Sequence, residues 1–234
     1  MSNSLYLIPS PLGDNEPAEV IPAPVLERLQ SIRIYVVEEL RTVRRYLSRA
    51  GLRGQIDSLE LHVLNEHTPP REVEALLELF SRGDVGLISE AGLPAVADPG
   101  AQLVALCHRH GIPVVPLVGP SSLMLALMGS GLNGQCFAFR GYLPAKPEQR
   151  REAIRAAEKR SAAGNETQLF IETPYRNDAL LSDLIALCRD TTRLCIAADL
   201  TLPTQTLMTR TVKQWKAAPP LVLGKRPCVF LLLA

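Results

Sequence analysis

The 234-residue sequence predicts an α/β protein made of two α/β domains, and three observations carry that reading. Short apolar runs alternate with segments of helical periodicity through the first half, the pattern of a mainly parallel sheet. The apolar runs of the second half are joined by shorter turns, which points to a mixed sheet. Two loops of small residues, Gly86 to Gly100 (GLISEAGLPAVADPG) and Gly119-Pro120-Ser121-Ser122, each leave an apolar strand and open a helix. Strands that end in glycine, alanine and serine leave room at their carboxyl ends, where open α/β sheets bind ligands.

Taken in order, Leu5 to Ile8, Ile34 to Val37, Val85 to Ile88 and Val114 to Val115 read as strands. Leu40, Val43, Leu47 and Ala50 recur at helical spacing, as do Val73, Leu76, Leu77 and Phe80 after the paired prolines Pro69 and Pro70. Asp98 before Pro99 reads as a helix N-cap followed by proline at the first helical position, and Gly111 as the stop of the same helix. A helix over Leu123 to Met128 leads into five further strands, at Cys136 to Phe139, Leu169 to Ile171, Leu194 to Ala197, Thr206 to Thr209 and Cys228 to Leu233. Pro144 to Gly164 reads as a charged surface helix with its flanking loops. The domain boundary is placed after residue 118, giving halves 1–118 and 119–234, with a crevice between them lined by the loops of both.

Composition removes several classes. A formal charge of +1 argues against a general polyanion binder, so any nucleic-acid contact must come from a local patch. Cys107, Cys136, Cys188, Cys195 and Cys228 form no C-x-x-C pair and mostly sit in apolar runs, as expected of reduced thiols in a cytoplasmic protein. Met1-Ser2-Asn3-Ser4 lacks the basic start of an export signal, and Gly111 to Phe139 is broken by Pro113, Pro116 and Pro120, so no membrane span is expected. There is no Walker P-loop, no H-E-x-x-H and no G-x-S-x-G. The single G-x-G-x-x-G match, Gly129 to Gly134, ends a helix and enters a strand, the reverse of a dinucleotide fingerprint, and is read as accidental.

The chemistry-bearing residues that remain lie near strand ends. Pro9-Ser10-Pro11-Leu12-Gly13-Asp14 follows the first strand and either joins the same crevice or is a proline-rich surface turn. Glu38 and Glu39 follow the second strand and suit either a base beside the crevice or the capping of a helix start. Arg41, Arg45 and Arg49 recur every fourth residue, with Arg44 nearby, as a basic ridge for phosphate or as a solvated helix face. Lys146, Arg150, Arg151, Arg155, Lys159 and Arg160 alternate with Glu148, Glu152 and Glu158 as on a solvated helix. The four histidines have no metal-ligand arrangement with the cysteines. Thr173-Pro174 after Phe170-Ile171-Glu172 reads as a strand feeding a capped helix.

Six segments, in this order and spacing, resemble one family: Leu5-Tyr6-Leu7-Ile8-Pro9-Ser10-Pro11-Leu12-Gly13; Val37-Glu38-Glu39-Leu40-Arg41; Ser89 to Gly100; Gly119-Pro120-Ser121-Ser122; Gly141-Tyr142-Leu143-Pro144; and Phe170-Ile171-Glu172-Thr173-Pro174-Tyr175-Arg176. The chain resembles the tetrapyrrole methylase superfamily of S-adenosylmethionine-dependent methyltransferases, most closely the branch that methylates a ribose 2'-hydroxyl of small-subunit ribosomal RNA. Ser-Pro-Leu-Gly-Asp and Val-Glu-Glu-Leu-Arg stand where that branch has Thr-Pro-Ile-Gly-Asn and Ala-Glu-Asp-Thr-Arg, which marks a short, divergent subgroup. The resemblance implies two α/β domains with the cofactor between them, ribosomal RNA or the small ribosomal subunit as partner, and a homodimer. It implies that Pro9, Ser89, Ala91, Val96, Ser121 and Ser122 lie along S-adenosylmethionine, with Glu172 and Leu200 contributing from the second domain. Glu39 or Glu38 is then the expected base, and Arg41 and Arg45 the expected phosphate contacts. The alternatives are a precorrin-type tetrapyrrole C-methyltransferase of the same fold, and a noncatalytic module that keeps the fold and binds RNA or protein.

Overall fold

Ile34–Val37 and Val85–Ile88 are apolar or glycine at every position, the pattern of strands covered on both faces. In the computed structural model of the protein, which describes residues 3–234, both are interior strands of a five-stranded sheet. Met1 and Ser2, where the segment read as lacking an export signal begins, lie outside the described residues. The chain divides into two units, Met1–Ser121 and Ser122–Ala234.

The first unit runs β1 (Leu5–Leu7), α1 (Pro17–Val20), α2 (Ala23–Ser31), β2 (Ile34–Val37), α3 (Leu40–Leu47), β3 (Glu60–Val63), α4 (Pro70–Ala75), β4 (Val85–Ile88), α5 (Ala101–Arg109) and β5 (Val114–Pro116). Its sheet order is β3-β2-β4-β1-β5 and every pairing is parallel. One face of the sheet packs Leu5, Val36, Val85 and Leu87 against Val73, Leu76, Leu79, Leu103 and Leu106. The other packs Ile8, Tyr35, Val37 and Ile88 against Leu29, Val43, Tyr46 and Leu47. The expected stripe Val43, Leu47 and Ala50 is buried, whereas Leu40 is exposed at the first turn of α3. Pro70 opens α4, whose pattern runs on through a 3-10 segment at Leu76–Ser81, and Gly111, with φ of 67°, follows the end of α5 in the left-handed conformation.

The N-terminus of α5 corrects the sequence expectation. Its cap is Gly100, with φ of 121° and no side-chain hydrogen bond, so Asp98 does not cap the helix. Two residues separate Asp98 from α5, and its carboxyl has a different environment.

The second unit runs α6 (Ser122–Ser130), β6 (Phe137–Tyr142), α7 (Pro147–Gly164), β7 (Thr167–Ile171), α8 (Asn177–Leu187), β8 (Arg193–Ala198), β9 (Thr206–Thr211), α9 (Val212–Ala217) and β10 (Cys228–Leu233). The sheet order is β6-β7-β10-β8-β9; β6 and β7 are parallel and the remaining pairs antiparallel, a mixed sheet. Six buried residues, Cys228 through Leu233, make β10 its central strand. Between α6 and β6, Gly129 to Gly134 ends a helix, with Gly131 at φ of 66°, as the accidental reading of that glycine pattern requires.

The charged helix α7 is not solvated all round. Ile154, Ala157 and Ser161 are buried, and Arg150 points inward to Asp183 of α8 at 2.6 Å, with side chains only 7% and 12% exposed. Thr192 and the main chain of Arg189 likewise donate to buried Glu158. Periodicity missed this because an inward arginine and glutamate do not register as apolar. Removing one partner of such a pair leaves a buried charge uncompensated, which costs about 3–5 kcal/mol. Asp183→Ala is therefore expected to lower the free energy of unfolding by about that much, and an equilibrium denaturant titration beside the unaltered chain measures it. A loss below about 1 kcal/mol, the level of an exposed pair, would show that Arg150 is solvated after all.

Candidate active site

All five strands of the first sheet are parallel, so their carboxyl ends lie along one edge, and the loops that follow β1, β2, β4 and β5 leave from that edge. Neighbours β4 and β1 send their connections to opposite sides of the sheet, toward β5 and β2 respectively, as at a topological switch point.

Main-chain contacts hold these loops together. Ser10 N–H donates to Gly92 O at 2.9 Å and Gly92 N–H donates back to Ser10 O at 3.2 Å. Ser10 Oγ donates to Ser89 O, and Tyr46 Oη of α3 donates to Pro9 O at 2.8 Å. On the other side of β1, a Cβ on Gly119 would stand 2.2 Å from Pro9 Cβ and 2.3 Å from Pro9 Cγ. Only glycine lets these two turns approach so closely. Within the loop after β4, Ala95 and Ala97 hold φ of 65° and 63°, a left-handed conformation that costs a non-glycine residue of order 1–3 kcal/mol and persists only where surroundings impose it.

The expected site residues of this unit fall into two groups. Pro9, Ser89, Ala91, Val96 and Ser121 all lie on the three loops after β1, β4 and β5; Ser89 is 2% exposed and Val96 is 45% exposed. The Ser89 hydroxyl is buried without a hydrogen-bond partner. A buried orphan hydroxyl costs about 1–3 kcal/mol, a cost that a bound polar group would remove. Glu38 and Glu39 follow β2 at the same edge. Glu39 is the N-cap of α3, accepting from Arg41 N–H at 3.0 Å and Thr42 N–H at 2.6 Å. Those main-chain donors, Thr42 first, hold its carboxyl below the usual range. Glu38 accepts from Glu90 N–H at 3.0 Å and so tethers the loop after β4.

The basic ridge is largely neutralised within the unit. Asp14 accepts from Arg45 at 2.9 Å and Arg49 at 2.6 Å, Glu16 accepts from Arg49 at 2.9 Å, and Arg44 pairs with Asp57. The Arg49 hydrogen bond, then the charge of Arg45, holds Asp14 below its ordinary pKa. Arg41 is exposed, and among the described residues its side chain forms no ion pair. Of the two expected phosphate contacts, Arg45 must therefore exchange Asp14 for a phosphate, whereas Arg41 need break no salt bridge.

Sequence reasoning missed a carboxyl whose pKa is raised by its surroundings. Asp98 is half-buried, and desolvation, then the charges of Glu38 and Glu90, push its pKa from 3.8 to about 6. The nearby Ser89 hydroxyl tempers that rise without completing a hydrogen bond of good geometry. The Asp-Pro pair looked like a helix start; only the fold brings the charges of Glu90, from the same loop, and Glu38, from the end of β2, to bear on it.

In the second unit, β7 and β8 are both antiparallel to β10, so their carboxyl ends share one edge. Glu172 follows β7. Its Oε1 accepts from Thr173 N–H at 2.7 Å and Arg176 Nη2 at 2.6 Å, while Oε2 is buried without a partner. Thr173 provides no side-chain cap to the helical turn it precedes, contrary to expectation. Leu200 follows β8 between two strained residues, Asp199 and Thr201, with φ of 50° and 73°. Arg226 Nε at 2.6 Å and Thr204 Oγ1 at 2.9 Å fix the Asp199 carboxylate. Ser122 opens α6, which is tied to β9 by Thr209 Oγ1 donating to Ser130 O at 2.6 Å. Among the described residues no group of histidine, cysteine and carboxylate side chains could hold a metal ion.

The raised pKa of Asp98 has a signed consequence. Between pH 4 and about 6 the folded carboxyl holds a proton that the unfolded chain has released, so stability falls as pH rises through that window and stays lower above it. Asp98→Asn removes the penalty. Because solvent reaches the group, the expected gain is about 1–2 kcal/mol at pH 8, less than about 1.4 per pKa unit would give, and it shrinks toward zero near pH 4. Urea unfolding at both pH values tests this, and an equal gain at both would dissociate the stability change from ionisation.

Comparison with known proteins shows the family of the chain. Residues 4–215 match the family described as Tetrapyrrole (Corrin/Porphyrin) Methylases. The chain is 33% identical over 204 residues to the "Ribosomal RNA small subunit methyltransferase I" of Escherichia coli O157:H7, covering 87% of this chain and 67% of that one. It is 36% identical over 190 residues to the protein of the same name from Micromonospora olivasterospora, covering 81% and 57%. Thus the chain spans roughly two thirds or less of these relatives' length. Among solved structures, the methyltransferase CobJ superposes with a TM-score of 0.66 at 18% identity, covering 99% of this chain and 94% of that one. Uroporphyrin-III C-methyl transferase from Thermus thermophilus, complexed with S-adenosyl homocysteine, superposes at 0.57 with 19% identity, covering 99% and 97%. With all but the first three residues of the first unit and most of the second inside the matched region, the chain belongs to the tetrapyrrole methylase family and is an S-adenosylmethionine-dependent methyltransferase.

Proposed function

We propose that the chain transfers a methyl group from S-adenosylmethionine to a ribose 2'-hydroxyl of small-subunit ribosomal RNA. The observation that carries the acceptor is the contrast between relatives. Those at 33% and 36% identity bear the ribosomal RNA name, whereas the likeness to tetrapyrrole enzymes is one of fold at 18–19% identity. That contrast favours RNA over a macrocyclic acceptor.

Pro9, Ser89, Ala91, Val96 and Ser121 of the first unit are proposed to hold the cofactor, with Ser122, Glu172 and Leu200 of the second as its further contacts. Three features suit that role: the orphan Ser89 hydroxyl, the buried and unpaired Glu172 Oε2, and the imposed main-chain conformations at Ala95, Ala97, Asp199 and Thr201. The cofactor supplies the activated methyl group when bound. What the protein adds is alignment of the acceptor oxygen, exclusion of water and removal of the hydroxyl proton. Alignment alone supplies on the order of 7–11 kcal/mol in favourable intramolecular reactions. Arg41 is proposed as a phosphate contact, with Arg45 joining if phosphate displaces Asp14. Glu38 is proposed to act at the reacting end, and Glu39 to remain the helix cap.

A homodimer working in the cytoplasm completes the proposal. It is compatible with the observation that, among the described residues, no helix is long and apolar enough to cross a membrane.

Incubation of the protein with methyl-labelled S-adenosylmethionine and small ribosomal subunits from a strain lacking it, followed by nuclease mapping, tests donor and acceptor together. Label is expected in the 16S RNA on a ribose oxygen that resists alkaline cleavage. Label on a precorrin-type macrocycle but not on RNA would replace this acceptor with the tetrapyrrole one.

A further inference from the structure

We propose, on the RNA reading above, that Tyr175 and Lys225 of the second unit form a platform for one single-stranded nucleotide of the substrate RNA. The base lies on the open face of the Tyr175 ring, and the Lys225 ammonium meets a phosphate.

Tyr175 lies in the helical turn Pro174–Arg176 that follows β7, at the edge where β7 and β8 end. It is 79% exposed, and Lys225 Nζ stands 4.8 Å from the centroid of its ring, so a cation covers one face and the other is open to solvent. Both residues are held by their neighbours. Arg176 N–H donates to Thr173 O at 2.9 Å and the Arg176 guanidinium donates to Glu172 at 2.6 Å, which closes the turn around Tyr175. Asp178 accepts from Leu223 N–H at 2.7 Å and from Gly224 N–H at 3.1 Å, and Asn177 Nδ2 donates to Arg226 O at 2.7 Å. These bonds fix the main chain on either side of Lys225. Gly224, with φ of 56°, supplies the left-handed turn just before it. An aromatic ring displayed in water on an anchored turn keeps most of its apolar surface for a partner.

Charge selects the partner. Arg176 and Arg226, next in sequence to these two residues, are matched to Glu172 and Asp199, whereas Lys225 forms no ion pair among the described residues. After Asp199 the sequence has no aspartate or glutamate, but it has Arg210, Lys213, Lys216, Lys225 and Arg226. The second unit carries 15 lysines and arginines against 9 aspartates and glutamates, and the first carries 10 against 15. The near-neutral total therefore conceals a basic half, and that is the half a polyanion approaches. An exposed ring beside an unmatched cation suits single-stranded RNA, because every base offers a face to stack and every nucleotide brings a phosphate. The same edge carries Glu172 and Leu200, the proposed cofactor contacts of this unit, so a nucleotide stacked there is presented beside them.

In the labelled-subunit assay, Tyr175→Ala is expected to raise the KM for the subunit about 5- to 150-fold, the loss of one stacked base, with a smaller change in kcat. Tyr175→Phe, which keeps the ring, should restore the KM. With fluorescently labelled small-subunit RNA, Lys225→Ala should lower the slope of log affinity against log salt by about 0.7, the share of one single-strand phosphate. Calorimetry should show S-adenosylmethionine bound equally by all three variants, which separates a lost RNA contact from a damaged fold. Independently of methyl transfer, small-subunit RNA carrying 4-thiouridine, irradiated with the unaltered protein, should attach to the peptide that contains Tyr175. An unchanged KM in Tyr175→Ala, equal losses in the Ala and Phe variants, or crosslinks confined to other peptides would overturn the platform while leaving the acceptor reading intact. Loss of self-association in Tyr175→Ala by sedimentation velocity, with RNA binding undiminished, would make this face a contact between copies of the chain and overturn it as well. Failure of the unaltered chain both to label RNA and to crosslink to it would overturn the acceptor reading and the platform together.

Discussion

The pair of main-chain hydrogen bonds between Ser10 and Gly92 is the constraint on which the first unit's site depends. It fastens the turn after β1 to the loop after β4 as a short antiparallel bridge outside the parallel sheet. Once Ser10 is fixed, Pro9 is fixed, and the bare Gly119 backbone packs directly against the proline ring. Three loops that would each be mobile alone thereby become one surface, with little side-chain bulk between backbone and solvent. Binding through main-chain groups requires such fixation, because a loop ordered only by its ligand spends part of the binding energy on its own ordering.

Electrostatics follow from the same assembly. Drawing the loop after β4 toward β2 brings Glu90 and Asp98 to Glu38 with no compensating cation, an arrangement unfavourable in isolation. Proteins retain such clusters where a positive or proton-bearing ligand relieves them. A sulfonium is positively charged and an acceptor hydroxyl carries a proton, so both halves of the proposed chemistry suit the cluster. The basic ridge of α3 and the turn after it follows the opposite rule: Arg44, Arg45 and Arg49 are matched to Asp57, Asp14 and Glu16, which leaves Arg41 as the ridge arginine without an ion pair among the described residues. The free cysteines stand apart from this chemistry; burial raises the Cys188 and Cys228 thiols to about 12 and keeps them protonated.

Much of this arrangement was legible in the sequence, for identifiable reasons. The interior strands are continuous apolar runs, and the small-residue loops mark the strand ends, so the parallel sheet and the edge from which those loops leave could be read directly. β3 could not, because Glu60-Leu61-His62-Val63 forms the sheet edge and carries only two apolar residues. The buried Arg150–Asp183 pair escaped for a related reason: charge patterning reports solvation until tertiary structure supplies a partner. The choice between base and cap at Glu38 and Glu39 turned on main-chain geometry, which no residue pattern encodes. Asp98 was hidden by its own context, since Asp-Pro before a helical run is what an N-cap looks like.

The central claim is that preformed main-chain turns after β1, β4 and β5 hold the cofactor. Crystals of the protein soaked in S-adenosylhomocysteine test it most directly. The account requires density against Pro9, Ser89 and Ser121, with the Ser89 hydroxyl gaining a hydrogen bond and the Ser10–Gly92 bridge unchanged. Density at another place, or a broken bridge with the loops rebuilt around the ligand, would contradict it.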